Sequence, residues 1–269
     1  MIATRPFEGR VDEPDWVALR EIVPSATAPL RLADPDSAGR PVTLTTVLPM
    51  AWPGMVRGDG AAFVGLQTPG RSGDVSRDIG HAIMSALDAD AGSFVSGLGR
   101  DDSAPRVQDL LDPAPLEITL HQGFDYWVDG MEDETGQLAA AMEQANAVIV
   151  PTERLTSVEA AYWCRMKERC HLRWVLPFDE DKLLDAMARL SAARELGLGD
   201  GTKYVGSFRA HGLLVPVWNL PLDMEAGDVE APAADVLARL ESALTVDAAL
   251  SDGERRARSN LLSRQLTLR

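Results

Sequence analysis

Only two cysteines, Cys164 and Cys170, occur among 269 residues. A disulfide framework is therefore excluded as the basis of the fold. No apolar run approaches the roughly 20 residues of a membrane-spanning helix, and the opening MIATRPFEGR lacks the apolar stretch of a secretory signal. Together these absences predict a cytoplasmic protein with two reduced thiols. Positive charge is also short: 26 Lys and Arg oppose 41 Asp and Glu, giving a net charge of −15. That excess repels phosphate polymers and argues against general affinity for DNA, RNA or anionic lipid. A local basic face can still take an anion. HExxH, GxSxG, CxxC and GxGxxG are missing, as is the GxxxxGK[ST] loop that cradles phosphates. No cofactor is expected.

What is present reads as a globular chain. Its 45% hydrophobic and 25% charged residues support a packed core without staples. Residues 1–13 form a polar lead expected to be loosely held. Pro14 in a first turn rich in Asp and Glu opens a short helix. Strands are expected at Ala28–Leu32 and Val42–Leu48 around a turn over Asp34–Gly39, and again at Ala61–Leu66, with Met50–Gly60 irregular. Asp74, after Gly70-Arg71-Ser72-Gly73, caps a helix with Ile79, Ala82, Ile83 and Ala86 on one face. Residues 91–115 are rich in Gly, Ser, Asp and Pro and read as a linker between subdomains at 14–90 and 116–250. Leu116–Val128 reads as a strand pair, and Leu138, Met142 and Ala145 mark a helix.

The stretch Thr156–Asp181 stands out. It holds both cysteines, Trp163, Trp174, His171 and a cluster of positive charge. Thr156-Ser157-Val158-Glu159 has capping-box spacing, which signals a helix, yet Tyr162-Trp163-Cys164 and Leu172–Leu176 have strand composition around Lys167-Glu168-Arg169. A hairpin is favoured. Asp179 then caps a helix with Leu183, Leu184, Met187 and Leu190 facing in. Lys203–Phe208 and Leu213–Leu220 make a second hairpin around Ala210-His211-Gly212. Pro232 opens another helix, and Ser251-Asp252-Gly253-Glu254 opens a basic C-terminal helix and tail over 251–269.

Landmarks recur in order across the two halves: Ile22-Val23-Pro24 and Ile149-Val150-Pro151, Val47-Leu48-Pro49 and Val175-Leu176-Pro177, Phe63-Val64-Gly65 and Tyr204-Val205-Gly206, Ala86-Leu87 and Ala243-Leu244. This pattern implies an internal duplication. The expected fold is α+β: two related subdomains, each an antiparallel or mixed sheet flanked by helices.

RPFEG at 5–9, DWVALREIVPSATAPL at 15–30, SVEAAYWC at 157–164, HLRWVLPFDEDKLLDA at 171–186, VGSFRAHGLLVPVWNLP at 205–221 and ERRAR at 254–258 closely resemble an uncharacterised actinobacterial family, a domain of unknown function. The resemblance covers nearly the whole chain. It implies no established activity or catalytic residues. Some members begin with a lysine-rich tail that this chain lacks, and labels borrowed from preprotein translocase subunits gain no support without a phosphate-cradling loop. The order of elements also resembles the SseB-type domain, at the level of fold alone.

Several chemistries are weighed on these residues. Zinc would need Cys164, Cys170 and His171 plus a remote fourth ligand, His121 or His211; two small buried hydrophobes explain the thiols better. A nucleophilic thiol would pair Cys164 or Cys170 with His171 and Asp179, but adjacent strand residues face opposite ways, which separates Cys170 from His171. Across 153–173, five cations (Arg154, Arg165, Lys167, Arg169, Arg173) oppose Glu153, Glu159 and Glu168, a net +2. Arg209 and His211 can join them. Guanidinium forks suit carboxylate or phosphate; the bland alternative is a solvated face paired with Asp179-Glu180-Asp181. Trp163, Trp174 and Trp218 can stack on a ligand, though core packing is their ordinary role. A helix N-terminus after Gly70–Gly73 can hold an anion, and Arg255, Arg256, Arg258 and Arg264 can dock an acidic partner. The expected function is a cytoplasmic binding or adaptor protein presenting Arg165, Arg173, Arg209, Trp163, Trp174 and His171 to a protein partner or a small anionic ligand. The rival is an enzyme on an anionic substrate, with arginine clamps and His171 or His211 as acid/base. A third reading is association with RNA or the ribosome. An enzyme requires a concave site of roughly 300 Å3 or more; an adaptor shows an exposed apolar patch.

Overall fold

The computed structural model describes residues 2–34, 40–70, 72–96, 98–129 and 137–264. The turn at 35–39, Arg71 and the tail from 265 onward lie outside these. The chain divides into two compact units, Met1–Ile149 and Val150–Arg269. Seven helices and two sheets among the described residues make the protein α+β, as its sequence implies.

In the first unit, α1 (Glu13–Glu21) precedes the hairpin β1 (Ala26–Leu30) and β2 (Val42–Thr45). β3 (Gly54–Val56), β4 (Ala62–Gly65), α2 (Val75–Asp88) and the two-residue β5 (Phe94–Val95) follow. A single turn, α3 (Val107–Leu110), leads to β6 (Thr119–Leu120) and α4 (Gln137–Asn146). The sheet order is β5-β3-β4-β2-β1-β6. β2 and β4 run parallel and every other pair is antiparallel, so the sheet is mixed. Asp74 caps α2 by accepting the Ser76 N–H. Gly80 permits a close approach: a Cβ there would sit 2.0 Å from the Pro105 carbonyl.

Several expectations are corrected here. The lead is tied down, because its charges find buried partners. Phe7 stacks on Trp16, Arg5 forks onto Glu13, and the buried Arg10–Asp12 pair reaches the carbonyls of Asp112 and Ala114. β3 lies in the stretch expected to be irregular. Leu116–Val128 supplies only the short β6 and a 3-10 turn at Asp125–Trp127. The chain divides after Ile149 rather than at 91–115. β5 and β6 add to the first sheet, and Phe124, Trp127 and Met142 pack with Leu48, Met55 and Phe63.

The second unit holds β7 (Thr152–Arg154), β8 (Ala161–Arg165), β9 (Cys170–Trp174), α5 (Glu180–Ala193), β10 (Lys203–Ala210), β11 (Leu213–Leu220), α6 (Ala226–Leu244) and α7 (Asp252–Leu262). Its sheet, β10-β11-β9-β8-β7, is antiparallel throughout. The hairpin reading of 161–174 holds, and β10 and β11 turn through His211 and Gly212, both at positive φ. α5, α6 and α7 bury Leu183, Met187, Val236, Leu240 and Leu261 with one face of the sheet. Pro232 does not open α6 but sits inside it. The helix starts at Ala226, where the Asp228 carboxylate accepts the Glu225 N–H, and Val229 in this early turn is fully buried.

The duplication is not carried by the sheets. β4, with Phe63-Val64-Gly65, lies between β2 and β3, whereas β10, with Tyr204-Val205-Gly206, pairs only with β11. No helix among the described residues is long and apolar enough to cross a membrane.

Candidate functional site: an arginine and histidine on the second sheet

Strand register decides which of the expected site residues meet. β8 and β9 pair Ala161 with Trp174, Trp163 with Leu172 and Arg165 with Cys170, so these six share the face that packs on the helices. Tyr162 with Arg173 and Cys164 with His171 share the other face. β11 extends that second face with Val217 beside Arg173 and Asn219 beside His171.

The tryptophans are core residues rather than a ligand platform, which corrects the expectation for Trp163 and Trp174. Relative exposures of Trp163, Trp174 and Trp218 are 2%, 1% and 0%. Each indole N–H donates to a backbone carbonyl: Trp163 to Met224 at 3.0 Å, Trp174 to Glu159 at 2.9 Å, Trp218 to Leu196 at 2.8 Å. A buried indole needs such a partner, and these bonds tie the sheet to its loops.

Arg165 and Arg209 are committed elsewhere. Arg165 lies 5.1 Å over the Trp163 ring, donates to the Leu222 carbonyl at 2.7 Å and pairs with Glu225. Arg209 forks onto Glu180 in the first turn of α5, with Nε 2.8 and 2.9 Å from its two oxygens. Asp179 caps α5 by accepting the Lys182 N–H at 3.0 Å. His211 lies in the β10–β11 turn, whereas His171 faces Asn219 at the other end of β11. Six residues of strand make that about 20 Å. His171 and His211 therefore do not meet.

His171 and Arg173 remain together. Arg173 is half-buried and makes no ion pair among the described residues. The Nδ1 of His171 is buried and has no hydrogen-bond partner there. Burial pushes the imidazole pKa down, and Arg173 and Arg169 push it further, against a smaller opposing pull from Asn219. Burial raises the Cys164 thiol, partly offset by Arg173 and by the His171 backbone N–H. A neutral thiol at 3% exposure beside a neutral imidazole is not an activated nucleophile. Cys170 faces the other way, toward the Leu222 carbonyl, and burial raises its pKa too. Both thiols are free. Among the described residues no group of three or more His, Cys, Asp or Glu is placed to hold a metal.

Sequence reasoning missed Asn219. Its one signal is that it is the only amide side chain in Leu213–Leu220, otherwise apolar apart from the Trp218 indole N–H.

Concavities in the first unit are built from other residues. In the first unit a cavity of about 210 Å3 is lined by Met50, Trp52, Pro69, His81 and Leu98 among others. An open groove of about 630 Å3 holds Arg5, Arg77, Arg100 and Arg106, with Glu8, Asp74 and Asp102 in the same wall. Arg106 and Arg100 already pair with Asp74 and Asp102.

Fold and site together define a two-unit α+β protein with a cationic, histidine-bearing sheet face. The chain belongs to a family of unknown function, DUF5926, which matches residues 6–269. No curated protein and no solved structure matches it.

Proposed function

We propose that this protein is a non-catalytic binding protein that takes a small carboxylate- or phosphate-bearing ligand on the second sheet, at Arg173, His171 and Asn219. The observation that carries the reading is Arg173: a half-buried arginine with no carboxylate partner among the described residues, in a chain of net charge −15. Arg165, Arg189, Arg209 and Arg258 of the same unit all have carboxylate partners. A partly desolvated cation without a counter-ion is costly, and a bound anion removes that cost. The unpartnered Nδ1 of His171 and the amide of Asn219 supply further hydrogen bonds at the same place. Two buried reduced thiols suit a cytoplasmic setting, and the sequence motifs suit an actinobacterial source. On this reading the protein serves as an adaptor whose state reports ligand occupancy.

The test uses inorganic phosphate and succinate as probes, read by thermal shift and calorimetry. Ligand at 100 times Kd stabilises the folded state by about 2.7 kcal/mol. The Arg173→Gln variant is expected to lose that shift. Binding is expected to strengthen as pH falls through the depressed imidazole pKa, because His171 then becomes cationic. No shift with either probe, or the same shift in Arg173→Gln, overturns the proposal.

A further inference from the structure

A second feature, confined to the first unit, is independent of that site. Met50 and Ala51 follow one another in the left-handed region, at φ 58° and 52°. Neither is glycine, so each is strained by roughly 1–2 kcal/mol. This backbone holds Met50 at 84% exposure on the rim of the 210 Å3 cavity. Trp52, in the wall, lies with its ring centroid 3.9 Å from that of Phe94, itself 46% exposed. The site is braced from below. A Cβ on Gly65 would fall 2.8 Å from the Trp52 carbonyl, so only glycine lets that carbonyl come so close. Arg20 holds the carbonyls of Leu66 and Thr68, and Gln67 holds those of Leu19 and Val23. Strain and two exposed apolar side chains thus converge on a braced wall.

From this geometry we infer that the first unit binds an extended polypeptide segment, seating an apolar anchor side chain in the cavity with basic residues beside it. The cavity is smaller than the roughly 300–1,000 Å3 of small-molecule sites and suits one anchor side chain. β5 is the outermost strand of its sheet, so one of its backbone edges pairs with no strand of that sheet. Ser96, Leu98 and Gly99, just after β5, line the cavity. A segment added along β5 therefore passes its mouth. Charge selects the flanking residues. The chain carries −15 overall, which favours a basic flank on the bound segment.

Three fluorescein-labelled peptides of equal length test this by anisotropy at physiological salt: alternating Leu–Lys, Ser–Lys and Leu–Glu. The Leu–Lys peptide is expected to bind saturably. The other two, lacking anchor or charge, are expected to bind at least about tenfold more weakly, ~1.4 kcal/mol. Ser96→Trp fills the mouth from an exposed position and is expected to lose at least tenfold. Met50→Ser, at an exposed side chain, is a second variant expected to weaken binding. Saturable binding should also shift the Trp52 indole resonance. Equal binding of Leu–Lys and Ser–Lys overturns the inference. So does unchanged binding by both Ser96→Trp and Met50→Ser, or the absence of saturable binding.

Discussion

Glu230, on α6, fastens the loop that precedes β8. Its carboxylate accepts the Thr156 N–H at 2.9 Å, the Thr156 hydroxyl at 3.0 Å and the Ser157 N–H at 2.8 Å. The Ser157 hydroxyl donates to the Glu230 carbonyl at 2.8 Å. Burial raises the carboxyl pKa, but the hydrogen bonds from Ser157 and Thr156 outweigh it, and the value falls from 4.5 to about 2. At 1.36 kcal/mol per unit that shift corresponds to ~3.4 kcal/mol. The carboxylate is largely solvated, so screening reduces the figure to about 1–2 kcal/mol. A depressed folded-state pKa means the unfolded chain binds the proton more tightly. The stabilisation is therefore complete above about pH 4.5 and drains away as pH falls toward 2. Urea unfolding of wild type and Glu230→Gln is expected to differ by about 1–2 kcal/mol at pH 7. At about pH 3 less than half of that difference should remain. A difference that does not change with pH, or none at pH 7, would refute the assignment of this stabilisation to the ionised carboxylate.

Arg10→Ala strands the buried Asp12 carboxylate and is expected to cost about 3–5 kcal/mol in urea unfolding. Arg10→Ala/Asp12→Asn should recover part of it, since the amide still accepts from the Leu116 N–H. Ala51→Gly relieves left-handed strain and is expected to raise stability by about 1 kcal/mol by calorimetry. Cys164 and Cys170 are buried with raised pKa values. A disulfide-exchange reagent at pH 7 should therefore label them slowly in the native protein and at once in urea.

What the sequence made legible was local chemistry. Asp74, Asp179 and Ser251 cap their helices as their side chains predict, because a cap is decided within four residues. The β8–β9 hairpin was readable from its aromatic content. Its register was not. A loop centred on Lys167 would set Cys164 against Cys170. The actual four-residue loop, Met166–Arg169, sets Cys164 against His171, and that one-residue difference decides which side chains share a face. The same alternation buries Trp163 and Trp174 and leaves His171 and Arg173 together. β3 and β5 are too short to signal themselves and exist through pairing with distant strands. The strained Met50–Ala51 pair carried no signal, because neither residue favours positive φ.

The two sheets also differ in how far along the chain their partners lie. In the second, β7-β8-β9 and β10-β11 join neighbours in sequence, and only β9–β11 crosses an intervening helix. In the first, β1 waits for β6, with Ala26 meeting Leu120, and the parallel β2–β4 pair needs a crossover. Loop closure slows such distant pairings. During synthesis the sheet of the first unit therefore stays open at β1 until residue 120 has emerged, although the other five of its six strands were made before. Pulse-labelled hydrogen exchange should find β8–β9 amides protected ahead of those of β1. The later-made unit is thus the one whose sheet closes quickly, while the unit made before it carries an unpaired β1 edge until β6 follows.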